Sequence, residues 1–75
     1  MNKARRQQLK KWLKEIEAIK GELESICSDE EEAFDNMPEG VQGSANGMNS
    51  EEAIDKMNDA VAAIEEAVEY IEEIV

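Results

Sequence analysis

The fold is decided by the stretch Ile54-Asp-Lys-Met-Asn-Asp-Ala-Val-Ala-Ala-Ile-Glu-Glu-Ala-Val-Glu-Tyr-Ile-Glu-Glu-Ile-Val75. Its apolar side chains alternate in steps of three and four residues, at Ile54, Met57, Val61, Ile64, Val68, Ile71 and Val75. This is the a/d spacing of a heptad repeat, which puts them on one face of an α-helix. Just upstream, Asn49 can cap the helix and Glu52 can complete a capping box. The sequence therefore predicts a helix over residues 50–75.

A second heptad pattern precedes the first along the chain. It consists of Leu9, Trp12, Ile16, Ile19, Leu23 and Ile26, and it predicts a helix over residues 3–35. Leu13 and Cys27 widen this stripe on one side, and Glu30 interrupts it. Residues 36–49 contain Pro38 and three glycines, which predict a connecting loop. This loop either closes the end of a bundle with its apolar side chains or forms a binding surface.

These elements predict an all-α fold of two long antiparallel helices, a helical hairpin in one domain of residues 1–75. A chain of this length buries little surface as a monomer. Ala53, Ala60 and Ala67 lie beside the second stripe, where small side chains let a neighbouring helix approach closely. We therefore expect two copies to form a homodimeric four-helix bundle.

The composition excludes several classes of function. The chain has no His and one Cys, so zinc sites built on imidazole or thiolate and His-based nucleophile activation are ruled out. A net charge of −11 argues against binding to nucleic-acid phosphates. No apolar run reaches the ~18 residues of a membrane span. We expect a protein of the reducing cytoplasm.

The charges are distributed unevenly along the chain. Residues 1–20 hold seven of the eight basic side chains, whereas residues 21–75 hold seventeen acids and only Lys56. The first helix thus begins basic and ends acidic, which is the reverse of what its dipole favours. In a hairpin, the acids of residues 29–35 and 51–59 meet at the loop end. A basic protein partner is expected there, and the candidate contacts are Glu31, Glu32, Asp35, Glu39, Gln42 and Ser44.

The same carboxylates allow a second interpretation. A divalent cation is possible at this end, with Glu31, Glu32, Asp35, Glu52 and Asp55 as candidate ligands, because Mg²⁺ prefers hard oxygen ligands. Their E-E-x-x-D and E-x-x-D spacing is similar to that of the all-α nucleotide pyrophosphohydrolases, in which such acids hold Mg²⁺. Short acidic patterns arise readily in a chain this acidic, so we expect no enzyme and assign no catalytic residue or other cofactor. A purely structural dimerisation module is the third alternative.

A longer stretch carries a different resemblance. Glu31-Glu-Ala-Phe-Asp-Asn-Met-Pro-Glu-Gly-Val-Gln-Gly-Ser44, with Glu52-Ala-Ile and the Ala/Ile/Glu-rich helix, resembles a group of small acidic proteins of Firmicutes phages and mobile elements. The chain departs from that group at Ala45-Asn46-Gly47, where a charged turn ending in glycine is expected. The resemblance implies a phage or mobile-element accessory or counter-defence protein, in the cytoplasm of a bacterial or phage-infected host cell. It implies no site residues.

Overall fold

The computed structural model describes all 75 residues and contains three helices. They are α1 (Lys3–Asp35), α2 (Glu39–Gln42) and α3 (Ala45–Ile74). The chain is 89% helical without strands, and α1 packs along α3, so the all-α prediction is confirmed. The molecule measures 58 × 15 × 13 Å and has a radius of gyration of 17.1 Å. A compact chain of this length has a radius of gyration of about 11 Å, so this hairpin is strongly elongated.

The bounds of α1 follow from its end groups. Asn2 caps its start, where the side-chain oxygen accepts a hydrogen bond from the Arg5 N–H at 2.8 Å. At the other end, the Asn36 N–H donates to the Glu32 carbonyl, and Pro38 two residues later prevents continuation. No acid lies in the first turn and no base in the last, which agrees with the reversed charge order.

The loop prediction is wrong over residues 45–49. The helix α3 begins at Ala45, with Ser44 as its capping residue, and not near residue 50 as the Asn49 capping pattern predicts. The Asn46-Gly47 pair lies inside the helix, and no glycine in the chain has a positive φ. Gly47 is buried because the backbone of Gln42 passes directly over it, where a Cβ would overlap the Gln42 carbonyl. A glycine is needed here because the Gln42 backbone comes too close for a side chain, and not because the chain turns.

The predicted seam of α3 lies along the contact with α1. Its members Ile54, Met57, Val61, Ile64 and Ile71 are half-buried, and Val68 is buried. On α1, the predicted residues Leu9, Ile16 and Leu23 also lie in this contact and are half-buried.

The other three predicted seam residues of α1 do not lie between the helices. The exposed fractions of Trp12, Ile19 and Ile26 are 55%, 57% and 58%. The positions one residue further along take their place in the contact, namely Leu13, Lys20 and Cys27. If Leu9 and Ile54 are each assigned heptad position a, the α1 residues that contact α3 lie at positions a and e. The prediction had placed positions a and d in this contact. The contact continues through Glu30 and Phe34, both half-buried.

Two polar contacts set the register of the hairpin. The Cys27 thiol lies 3.5 Å from Asn58 Oδ1, and Lys20 Nζ lies 3.5 Å from Glu65 Oε1. Cys27 lies seven residues after Lys20 on α1, whereas its partner Asn58 lies seven residues before Glu65 on α3, as expected for an antiparallel pair. All four residues occupy position e, so the e positions of both helices line the same side of the hairpin.

Replacement of Ile64 by aspartate tests the α3 seam. Ile64→Asp places a charge in the only contact between the long helices, and we expect it to lower the free energy of unfolding by about 2–4 kcal/mol. Circular dichroism during urea titration measures the effect. The control Ala62→Asp adds the same charge on the exposed side, and it should cost less than about 1 kcal/mol. Equal losses in both variants would contradict the seam.

Two glycine-to-alanine variants should have opposite effects. Gly47→Ala forces a methyl group into the Gln42 backbone, and we expect it to destabilise the chain by about 1–3 kcal/mol. Gly21→Ala meets no atom within 4 Å and removes a flexible residue from the interior of α1. It should stabilise the chain by about 0.5–1 kcal/mol. Thermal melts followed by circular dichroism distinguish the two signs.

Candidate functional site

An open cleft of about 450 Å³ lies between α1 and α3 at the loop end of the hairpin. It is lined by Glu31, Phe34 and Asp35 from α1 and by Glu51, Ile54 and Asp55 from α3. The antiparallel register brings these two segments together, because Phe34 lies one heptad beyond Cys27 and Glu51 one heptad before Asn58. We call this feature the acidic cleft.

The acidic cleft combines four carboxylates with two half-buried apolar side chains, Phe34 and Ile54. None of the four carboxylates forms an ion pair within the chain, since both ion pairs of the molecule belong to Lys20. Their negative charge is therefore uncompensated by the protein itself. A lysine or arginine side chain has the matching chemistry, because its apolar stem can lie on Phe34 and Ile54 while its charged head meets the carboxylates.

The structure brings together part of the predicted metal-ligand set. Glu31, Asp35 and Asp55 line the acidic cleft, whereas Glu32 and Glu52 do not. Glu51, which was not among the predicted ligands, takes the place of Glu52 on α3. No three acidic or cysteine side chains are grouped closely enough to hold a metal ion. The divalent cation stays a prediction from the sequence.

The predicted contact residues of the loop have different surroundings. Glu39 is exposed on α2. Gln42 is half-buried, and its side-chain amide donates a hydrogen bond of 2.9 Å to the carbonyl oxygen of Phe34. The Ser44 hydroxyl donates to the Val41 carbonyl. Gln42 therefore connects α2 to the end of α1, next to the acidic cleft. The side chains of Gln42 and Ser44 both form hydrogen bonds within the chain.

A group of polar side chains lies inside the contact beside the acidic cleft. The Cys27 thiol, 4% exposed, lies 3.7 Å from Glu31 Oε1 as well as near Asn58, and the buried Ser50 hydroxyl donates to the Glu30 carboxylate. Burial raises the pKa of the Cys27 thiol, and the charge and hydrogen bond of Glu31 raise it further. The interruption of the apolar stripe at Glu30 was the sequence signal for this group, but Ser50 and Asn58 gave none.

Comparison with protein-family models, with curated proteins and with solved structures finds no match for this chain. None of its helices has an apolar stretch long enough to cross a lipid bilayer.

The raised pKa of Cys27 has a measurable consequence at alkaline pH. The thiolate reacts with iodoacetamide, so the folded chain should react at higher pH than the same chain unfolded in urea. The unfolded chain loses the thiol proton first, near the usual pKa of about 8.5, so the free energy of unfolding should fall as the pH rises above this value. Glu31→Gln removes the neighbouring charge and should shift the reactivity of the folded chain to lower pH. An identical pH profile in folded and unfolded chains would contradict this.

Proposed function

We propose that this chain is a non-enzymatic interaction protein whose acidic cleft binds a basic segment of another protein. The observation that supports this proposal is the composition of the cleft, in which four carboxylates surround Phe34 and Ile54 and have no cationic partner in the chain. Oppositely charged surfaces mainly accelerate association and select the partner. The apolar floor contributes the burial that charge alone does not supply.

The protein acts in this proposal as a homodimeric four-helix bundle. Only four of its 75 residues are buried within the single chain, which is very little core for a stable domain. The exposed Trp12, Ile19 and Ile26 supply apolar surface for a second hairpin. The resemblance to phage and mobile-element proteins supports an accessory role, in which the dimer binds a basic component of the host.

Binding of a basic peptide tests the acidic cleft. We expect a lysine- and arginine-rich helical peptide to bind the wild-type chain in isothermal titration calorimetry, with an affinity that falls as salt is added. The double variant Glu31→Gln/Asp55→Asn removes two charges from the cleft and should weaken binding about tenfold or more, as expected for loss of charge-assisted contacts.

The matched control removes two charges elsewhere. Glu66→Gln/Glu69→Gln has the same net charge as the cleft variant, but its changes lie far from the loop end on α3. It should bind the peptide within about twofold of wild type, a difference below 1 kcal/mol. Equal weakening by both variants would mean that the peptide responds only to net charge. The specific cleft would then be wrong.

A further inference from the structure

We propose that a second copy of this chain covers one defined apolar face of the hairpin, with the loop ends of the two copies at opposite ends of the dimer. This inference rests on the dimer in the proposed function and specifies its interface. We call this surface the uncovered face. It is formed by one row of residues on α1 and one on α3.

The α1 row consists of Trp12, Ile19 and Ile26, which repeat every seven residues at position d and are all more than half exposed. The α3 row consists of Ala60, Ala63, Ala67, Tyr70 and Ile74, which again alternate in steps of three and four. Tyr70 and Ile74 are 61% and 44% exposed. The helix α3 therefore carries two apolar stripes, of which α1 covers only one.

Both rows lie on the same side of the hairpin. The contacts of Cys27 with Asn58 and of Lys20 with Glu65 show that the e positions of both helices line one side. The d positions of α1 and the g positions of α3, which include the half-buried Ala60 as well as Ala67 and Ile74, lie on the opposite side of the helix contact. Ala63 and Tyr70 are at position c, which lies next to g and farther from α1. The acidic cleft is on the e side, so a partner on the uncovered face leaves the cleft open.

The surface area supports a second copy as the occupant. The chain exposes 5612 Å². A folded monomer of 8.4 kDa is expected to expose about 4,600 Å². The difference is about 1,000 Å² over the whole elongated chain, which is enough to supply the ~800 Å² that each partner buries in a standard interface.

Charge determines the orientation of the two copies. If both loop ends lay together, the acids of residues 29–35 and 51–59 would face the same acids of the partner. With the loop ends at opposite ends, the basic residues 3–14 of each α1 lie along residues 24–35 of the partner's α1. The second orientation replaces repulsion by attraction between the two α1 helices, whereas α3 is acidic along its length in either orientation.

The side-chain sizes fit this orientation. A twofold axis that passes beside Ile19 and Ala67 brings Trp12 against Ile26 of the partner subunit. On α3, the same axis brings Ala60 against the partner's Ile74, and it brings Ala63 to within one residue of the partner's Tyr70. Each large side chain of α3 thus meets an alanine, so that the helices can interdigitate closely. The axis also lies at the midpoint of α1, so the two α1 helices overlap along their full length.

In this dimer the two acidic clefts lie on outward surfaces near opposite ends. Their separation is about 40 Å along the bundle at 1.5 Å per residue. Two basic segments with this spacing would occupy both clefts of one dimer at the same time and gain affinity from the linkage.

Single-cysteine cross-linking tests the interface. Cys27→Ser removes the native thiol and keeps a hydroxyl donor beside Asn58, and Ile19→Cys, Ala67→Cys or Glu17→Cys is then added one at a time. Under mild oxidation we expect disulfide-linked dimers of the Ile19→Cys and Ala67→Cys chains. The control position Glu17 lies away from the uncovered face and should give none. Dimers that form only with Glu17→Cys would overturn the proposed face.

The opposite orientation predicts a different cross-linking result. With the loop ends together, α1 would lie over the partner's α3. Neither the Ile19→Cys chain nor the Ala67→Cys chain would then cross-link alone, but a mixture of the two would. Sedimentation equilibrium of the unmodified chain adds a second readout. It measures how much of the chain is dimeric at each concentration, at one fixed salt concentration, because salt screens the repulsion between two copies of net charge −11 as well as the attraction between their α1 helices.

These outcomes are separable from failure of the proposed function. A mass of 8.4 kDa at all concentrations would overturn the dimer, whether or not the basic peptide binds. A cross-linked dimer that does not bind the peptide would leave the interface standing and overturn the proposed role of the acidic cleft.

Discussion

The rest of this structure depends on one line of contact, in which the heptad seam of α3 packs against positions a and e of α1. Two helices share only one such line, and here it buries few residues completely. The free energy available from apolar burial is correspondingly small. The remaining apolar side chains, which in a larger domain would complete the core, are left exposed on one face of the hairpin, formed by both long helices. An incomplete core and an apolar outer surface are thus two consequences of the same geometry.

The polar side chains in this contact determine how the helices align. Apolar heptads alone permit sliding by a full repeat, whereas each polar member needs its own partner. Cys27 contacts Asn58, Lys20 pairs with Glu65, and Glu30 accepts a hydrogen bond from Ser50. This alignment sets Phe34 beside Glu51 and so creates the acidic cleft. The position of the candidate site therefore follows from residues that contribute little apolar burial.

The sequence predicted the helical hairpin well and its contact face only in part. On α1, the residues at position a form one apolar stripe with the d positions and another with the e positions. Heptad spacing alone therefore did not decide whether d or e faces α3. The d residues Trp12 and Ile19 are more apolar than Lys20, yet Lys20 takes the inner place, where it pairs with Glu65. The other inner e positions are occupied by Leu13, Cys27 and Phe34, which are less polar. The early start of α3 was missed for a related reason. Gly47 signals a turn locally, and only the passage of Gln42 above it explains why a glycine is needed at this helical position.

The elongated shape of the hairpin affects how its size is measured. Gel filtration separates proteins by hydrodynamic radius and not by mass. A rod of 58 × 15 Å moves through water with more friction than a sphere of equal volume, so it leaves the column early. One extended chain therefore elutes like a compact protein of larger mass, so a single chain can be mistaken for a dimer. Light scattering, which reports mass without reference to shape, distinguishes an extended single chain from a true pair.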